Sequence, residues 1–202
     1  MTAFKRTLGE MISMKSLLAI LLLSVSWLPM HAAAPSAWQA KLQQELPLLG
    51  HRNWIVIVDS AYPLQTSPGV ETIETGTDKI TVVRDVLDAL AHAKQVRPVV
   101  FMDAELPFVK EQEAPGVTQY RQQIKSALGG LHVQSMLHEK LIDRMNQAGS
   151  TFHILVLKTT LTVPYTSVFL WLNCKYWSDA AEKQLREAMK GHAPAPPRFG
   201  PQ

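Results

Sequence analysis

Cysteine is almost absent from this sequence. The 202 residues contain one, Cys174, so no disulfide can form within the chain. A chain without a disulfide has to be stabilised by its core or by assembly. Cys174 is therefore interpreted as a core or interface residue rather than a nucleophile.

Charge is also sparse and nearly balanced. Charged residues make up 18% of the chain, with 20 Lys and Arg against 17 Asp and Glu. Residues 1–34 hold three of the basic residues and one of the acids, so residues 35–202 carry 17 and 16, a net charge of +1. Nucleic-acid binding requires a basic face, and this balance argues against it. The hydrophobic content of 47% is ordinary for one globular domain.

Several motifs that carry familiar chemistry are missing from the sequence. It has no glycine-rich phosphate loop and no glycine fingerprint for a dinucleotide. No His-x-x-x-His or Cys-x-x-Cys pair offers metal ligands, and no Gly-x-Ser-x-Gly elbow offers a serine nucleophile. The sequence therefore predicts neither a cofactor nor a metal.

An apolar run lies near the N-terminus. Lys15 precedes residues 17–28, which are too few to span a bilayer comfortably, and Pro29 and three alanines follow. This pattern predicts a secretory signal peptide over residues 1–34; the alternative is an N-terminal membrane anchor. We therefore expect an exported protein, periplasmic or secreted, with no membrane contact after cleavage.

Residues 50–63 are the stretch around which the chain is organised. The apolar run from Trp54 to Val58 predicts a buried strand that ends at Asp59. In open α/β sheets, ligands collect outside the carboxyl ends of the strands, where Asp59 stands. His51 lies at the other end of the strand, about 25 Å away along an extended chain. The two can share a site only if the chain bends back or another subunit contributes.

The remaining patterns predict alternating helices and strands. Amphipathic spacing predicts helices over residues 36–46, 81–94, 118–128, 131–148 and 178–190. Apolar runs predict strands over residues 98–102, 152–157 and 168–172, with a short edge strand over 73–76. The fold class is a three-layer α/β/α domain with a mostly parallel sheet. We expect this domain over residues 35–177, then a C-terminal helix over 178–190 and a disordered proline-rich tail over 191–202.

Polar residues gather at the predicted strand and helix ends. Without a cofactor, such a set suits proton transfer or hydrogen bonding to a sugar. Four of its members also have a structural alternative: a turn residue for His51 and Asp59, core packing for Tyr165, and a surface position on a helix for His138. The set is His51, Asp59, Asp103, Glu105, His138 and Tyr165.

Two segments resemble the RbsD/FucU family of sugar mutarotases, which includes the D-ribose pyranases and L-fucose mutarotases. Gly50-His51, the strand and residues 59–63 are similar to the family's Gly-His…Asp-Ala-x-Phe-Pro signature. Downstream, residues 164–168 resemble its Pro-Tyr-Ala-Asn-Val segment, and His138-Glu139 resembles its helical His-Glu pair. The similarity runs from residue 46 to residue 172.

The resemblance implies a small α/β domain that assembles into homo-oligomeric rings, commonly decamers, with sites built from adjacent subunits. It implies cofactor-free interconversion of the ring forms of a free monosaccharide. His51 would be the acid/base group and Asp59 would orient it or hold a sugar hydroxyl. Tyr165, His138 and Ser167 would contact the sugar.

The sequence also departs from the family pattern. Ser167 stands where the family has Asn, and residues 160–161 lack the acid of its Gly-Glu pair. A second hypothesis is therefore a non-catalytic carbohydrate-binding or assembly protein on the same fold.

Overall fold

The computed structural model describes residues 34–190. Apart from Ala34, the predicted signal peptide lies outside the described residues, as does the predicted tail over 191–202. The helices are α1 Ala37–Glu45, α2 Lys79–His92, α3 Val117–Leu128, α4 His138–Gly149 and α5 Asp179–Met189. The strands are β1 Trp54–Val58, β2 Val70–Glu74, β3 Val96–Asp103, β4 Val133–Met136, β5 Ile154–Lys158 and β6 Val168–Cys174. Short 3₁₀ turns cover Leu46–Leu48 and Leu106–Phe108.

The strands form one six-stranded sheet with the order β2-β5-β1-β6-β3-β4. β5 pairs in parallel with β1 and β2, and β4 pairs in parallel with β3. Among the strands within residues 34–190, β6 alone is antiparallel to its neighbours, β1 on one side and β3 on the other. The fold class predicted from the sequence, a mostly parallel α/β sheet, is confirmed.

The pleat of β1 divides the core into two layers. Ile55 and Ile57 point into the larger cluster, which α1, α2 and α3 cover. Val56 and Val58 point to the other face, where α4 packs. All four side chains are fully buried, and each such burial stabilises the fold by about 1.5–3 kcal/mol. Helices therefore lie on both faces, which makes three layers.

One predicted helix is wrong in part. The stretch 131–148 was expected to be helical throughout, but Val133–Met136 is strand β4, and α4 begins only at His138. β4 lies at the edge of the sheet beside β3, and that pairing outweighs its weak local pattern. The predicted edge strand over 73–76 also lies earlier, at Val70–Glu74, where it pairs with β5.

Within residues 34–190, no helix is both long enough and apolar enough to cross a membrane.

Candidate active site

The candidate site lies at the carboxyl ends of the neighbouring strands β1 and β3, on either side of β6. Asp59 follows β1, and Asp103 is the last residue of β3. β6 runs antiparallel to both strands, so its first residue lies beside their carboxyl ends, one residue after Ser167. The first residue of β6 pairs with the penultimate residues of β1 and β3. Segments distant in sequence therefore meet at one place.

Asp103 and His138 form the central pair of the site. Asp103 Oδ1 lies 3.0 Å from His138 Nδ1. The Asp103 side chain is fully buried, whereas 30% of the His138 side chain is exposed. An ionised carboxylate only accepts hydrogen bonds, so Nδ1 carries a proton, and Nε2 of the neutral ring is left as a free base. The pair thus presents an oriented general base.

Glu105 fixes the start of α4 and, with it, His138. Both oxygens of its carboxylate accept hydrogen bonds from the backbone N–H of His138, at 3.0 and 3.1 Å. A carboxylate at a helix N-terminus is also stabilised by the helix dipole. The N–H of Ala104 donates to the carbonyl of Met136 at 2.8 Å, which joins the ends of β3 and β4. His138 is therefore held by its main chain as well as by its ring.

Tyr165 lies against the His138 ring. The two ring centroids are 5.6 Å apart and the planes stand at 88°, an edge-to-face contact. Tyr165 has a φ of 56°, in the left-handed region that is strained for a residue with a Cβ. Such strain is found at functional sites when the surrounding contacts maintain it. Its side chain remains 40% exposed, so it lies at the mouth of the site.

Ser167 contributes a backbone donor and an unpaired hydroxyl. Its N–H donates to Asp103 Oδ2 at 3.3 Å, which binds the second oxygen of that carboxylate. Ser167 is only 1% exposed, and its Oγ has no hydrogen-bond partner among the described residues. Leaving such a group unpaired costs about 1–3 kcal/mol. The Ser167 hydroxyl is thus a buried polar atom beside the central pair.

The Asp103 carboxyl is electrostatically perturbed. Burial raises its pKa, while the bond from His138, the Ser167 N–H and the nearby Lys79 cation all act to lower it; the net shift is upward. Burial similarly raises the pKa of the Tyr62 phenol, with smaller contributions from the Asp103 and Asp59 charges. Buried groups with shifted pKa values beside charged partners are typical of functional sites.

Two of the predicted site residues have structural roles in a single chain. Asp59 Oδ1 accepts a hydrogen bond from Ala61 N–H at 2.9 Å, so Asp59 caps the turn after β1. His51 is exposed at the opposite end of β1, where its Nδ1 donates to Asn173 Oδ1 at 3.0 Å. Its ring also contacts Trp171, with 5.7 Å between the centroids. The fold does not bring His51 to the other site residues within one chain.

The family is decided by comparison with known proteins. A model of the RbsD / FucU transport protein family matches residues 35–173. The chain belongs to this family. The match spans the sheet from β1 to β6 and so contains every residue of the site described above.

Solved structures of RbsD and FucU proteins are among those that match this chain. RbsD of Bacillus subtilis complexed with D-ribose is 17% identical; the match covers 70% of this chain and 98% of that one, with a TM-score of 0.46. The fucose mutarotase of Streptococcus pneumoniae in complex with L-fucose is 18% identical, with coverages of 66% and 91% and a TM-score of 0.44. FucU from Bifidobacterium longum is 17% identical, with coverages of 66% and 94% and a TM-score of 0.44. No curated protein matches the chain.

The sequence of this RbsD/FucU family member left two parts of the site unassigned. Asp103 was included among the polar residues at strand ends, but nothing indicated that it meets His138, 35 positions later. Lys79 opens α2, where a lysine is usually solvated, yet its side chain is buried beneath Thr166. The available signal was an acid directly after a second buried strand, which repeats the pattern of Asp59 after β1.

A second polar cluster lies away from this site. Ligand atoms of Glu45, Glu71 and His153 are within 4.8 Å of one another. Lys41 Nζ lies 2.6 Å from Glu45 and 2.9 Å from Glu71, and His153 Nε2 lies 3.2 Å from Glu45. Because the lysine already supplies positive charge between the two carboxylates, we assign this cluster as an ion-pair network that ties α1 to β2 and the start of β5.

Proposed function

We propose that this protein is a cofactor-independent mutarotase or pyranase that interconverts the ring forms of a free monosaccharide. The Asp103–His138 pair carries the proposal, because it presents an oriented base at the carboxyl ends of the strands, where α/β proteins bind ligands. Membership of the RbsD/FucU family supports it. D-ribose and L-fucose, the sugars in the two complexes named above, are the first substrates to test.

Ring opening requires the movement of two protons. His138 Nε2 takes the proton from the anomeric hydroxyl, and the electrons of that O–H bond form the carbonyl. The bond between the anomeric carbon and the ring oxygen breaks, its electron pair goes to the ring oxygen, and an acid protonates that oxygen. The reverse steps reclose the ring with either configuration. Asp103 stays ionised and stabilises the imidazolium that His138 becomes.

In this proposal, the acid is His51 of a neighbouring copy. Within one chain it lies at the far end of β1, so a second copy has to bring it to the site, as the ring assembly implied by the sequence resemblance would. Apolar side chains flanking the site favour such a contact: Leu64 is 74% exposed and Leu137 is 57% exposed. Tyr165 and Ser167 would bind the sugar hydroxyls, as the family resemblance implies; within one chain Tyr165 is 40% exposed and Ser167 is buried.

Saturation-transfer NMR between sugar anomers tests the proposal. We expect the wild-type protein to accelerate exchange of D-ribose, L-fucose or a related aldose. His138→Ala and His51→Ala should each abolish the acceleration, while circular dichroism shows an unchanged fold. No acceleration across a panel of aldoses would refute the proposal.

One observation favours a second candidate, a non-catalytic sugar-binding or assembly protein. His51 is already engaged with Asn173 and Trp171 within its own chain, and Asp59 with its own turn. This candidate predicts that sugars bind, as measured by calorimetry, without any change in the exchange rate.

Export of the protein is also a proposal, and it rests on the composition of residues 1–34. Fractionation of cells that express the full chain tests it. We expect a shortened protein outside the cytoplasm, and a full-length cytoplasmic protein would contradict this expectation.

A further inference from the structure

Lys79 is the most unusual charged residue in the described part of the chain. It is 2% exposed and its side chain is among the largest that are fully buried. Its Nζ makes one hydrogen bond, to Thr166 Oγ1 at 2.9 Å, and lies 5.9 Å from the centre of the Tyr120 ring. Within residues 34–190, no carboxylate forms an ion pair with it. A buried ammonium without a direct partner is costly, so its presence calls for a reason.

Thr166 is held from three directions. Its hydroxyl donates to the carbonyl of Val163 at 2.8 Å, so the hydrogen bond with Lys79 is one in which the lysine donates. Its carbonyl accepts a bond from the Tyr120 hydroxyl at 2.7 Å. Thr166 is thereby fixed between α2 and α3, and Lys79 is the contact from α2.

The two neighbours of Thr166 both contact the central pair. Tyr165, on one side, lies edge-on to the His138 ring. Ser167, on the other side, donates its N–H to Asp103. We call residues 165–167 the arm. Anchoring Thr166 fixes where both of its neighbours meet the pair.

We propose that Lys79 is a positioning residue for the exchange reaction, which holds the arm against the Asp103–His138 pair and couples the ionisation of that pair to pH. The kinetic part of this inference rests on the proposed function, whereas the coupling does not. Lys79 acts through Thr166 and through its charge, because its buried side chain leaves no surface for a substrate.

The charges near Lys79 determine how its protonation affects the ionisation of Asp103. The charges that act on Lys79 are those of Asp59, which follows β1, and of Asp103, which ends β3, and the Tyr120 ring of α3 lies 5.9 Å from its Nζ. Burial lowers the pKa of Lys79 to about 7, although the two carboxylates act to raise it. Below this pH the ammonium favours ionised Asp103, and above it that support is lost. The pair therefore loses an electrostatic contribution near neutral pH.

Two isosteric variants separate the hydrogen bond from the charge. Lys79→Met removes both, whereas Thr166→Val keeps the lysine and removes its hydrogen bond together with the bond from Thr166 to the Val163 carbonyl. We expect each to lower kcat/KM for sugar exchange about tenfold, as for the loss of one buried donor contact. The wild-type pH profile should show a step at about pH 7. Thr166→Val should keep this step at a lower pH, because the ammonium has lost its hydrogen-bond acceptor, and Lys79→Met should lack it.

The second measurement does not depend on catalysis. The carboxyl ¹³C resonance of Asp103 should shift near pH 7 in the wild type and at a lower pH in Thr166→Val, and this step should be absent in Lys79→Met. If the Asp103 resonance shows the same pH dependence in Lys79→Met as in the other two proteins, the coupling between Lys79 and Asp103 is refuted. Unchanged kcat/KM in both variants of an active enzyme would refute the positioning role. If the wild type exchanges no sugar, the proposed function fails, and the resonance alone decides on the coupling.

Discussion

The buried lysine leads to a prediction about stability that needs no substrate. The native state releases the proton of Lys79 at about pH 7, whereas an unfolded chain holds it until its ordinary pKa of 10.5. Between these values the unfolded state binds more protons, so the free energy of unfolding rises with pH. Below pH 7 both states are protonated, and the buried charge lowers stability by a constant amount.

The magnitude follows from the same two pKa values. Each pH unit between them contributes about 1.4 kcal/mol. From pH 7 to pH 9 the wild type should gain about 2 kcal/mol relative to Lys79→Met, which has no ionisable group at position 79. Other lysines and tyrosines titrate in both proteins, so the difference between the proteins isolates Lys79.

Urea unfolding at several pH values between 6 and 9 measures this difference. The matched control is Lys175→Met, because Lys175 is exposed and donates to the carbonyls of Ala91 and Ala93 at the surface. The control should show no such pH-dependent difference from the wild type. If the difference in the free energy of unfolding between wild type and Lys79→Met is constant over this pH range, Lys79 keeps its proton in the folded state. The reasoning about its burial would then be wrong.

Three further predictions concern the site and the core. Asp103→Asn should lower sugar exchange at least about 100-fold, because an amide no longer fixes the ring of His138 in the tautomer with a free Nε2; an unchanged rate in the exchange assay would contradict the assigned base. Mixed oligomers of His51→Ala and His138→Ala should recover about a quarter of wild-type activity, because some interfaces then combine both intact residues; inactivity at every mixing ratio would argue against a composite site. Gly69→Ala should destabilise the fold by about 1–3 kcal/mol, since the added Cβ would lie 2.6 Å from the carbonyl oxygen of Gly149; an unchanged melting temperature would contradict this packing.

The local elements of the fold could be predicted where one residue pattern decides them. β1 is a run of five apolar residues, and all five are buried. The amphipathic spacing over residues 81–94 places Val83, Val86, Leu87 and Leu90 on one face of α2; the first, second and fourth are buried and Leu87 is partly buried. These elements depend on burial of a contiguous or periodic set, which the sequence displays directly.

β4 could not be predicted in this way. Val133–Met136 contains one β-branched residue and its side chains are half-buried or exposed, so neither a strand alternation nor an apolar run is visible. Its stability as a strand comes from pairing with Val100–Asp103, more than 30 residues earlier. Such non-local pairing overrides local propensity at the edge of a sheet.

The same limit applies to the site. The sequence predicted His138 as a candidate residue but could not give it a partner, because the approach of Asp103 depends on how β3 ends beside the first turn of α4. The burial of Lys79 depends likewise on the path of residues 163–167 over α2. Tertiary packing alone decides both contacts.

The central claim is that the Asp103–His138 pair opens and recloses a sugar ring. The most direct test is the rate of anomer exchange of D-ribose and L-fucose at pH 7, measured by saturation transfer with wild type, Asp103→Asn and His138→Gln. We predict acceleration by the wild type and loss of it in both variants, with folding intact. Acceleration that persists in His138→Gln would contradict the claim.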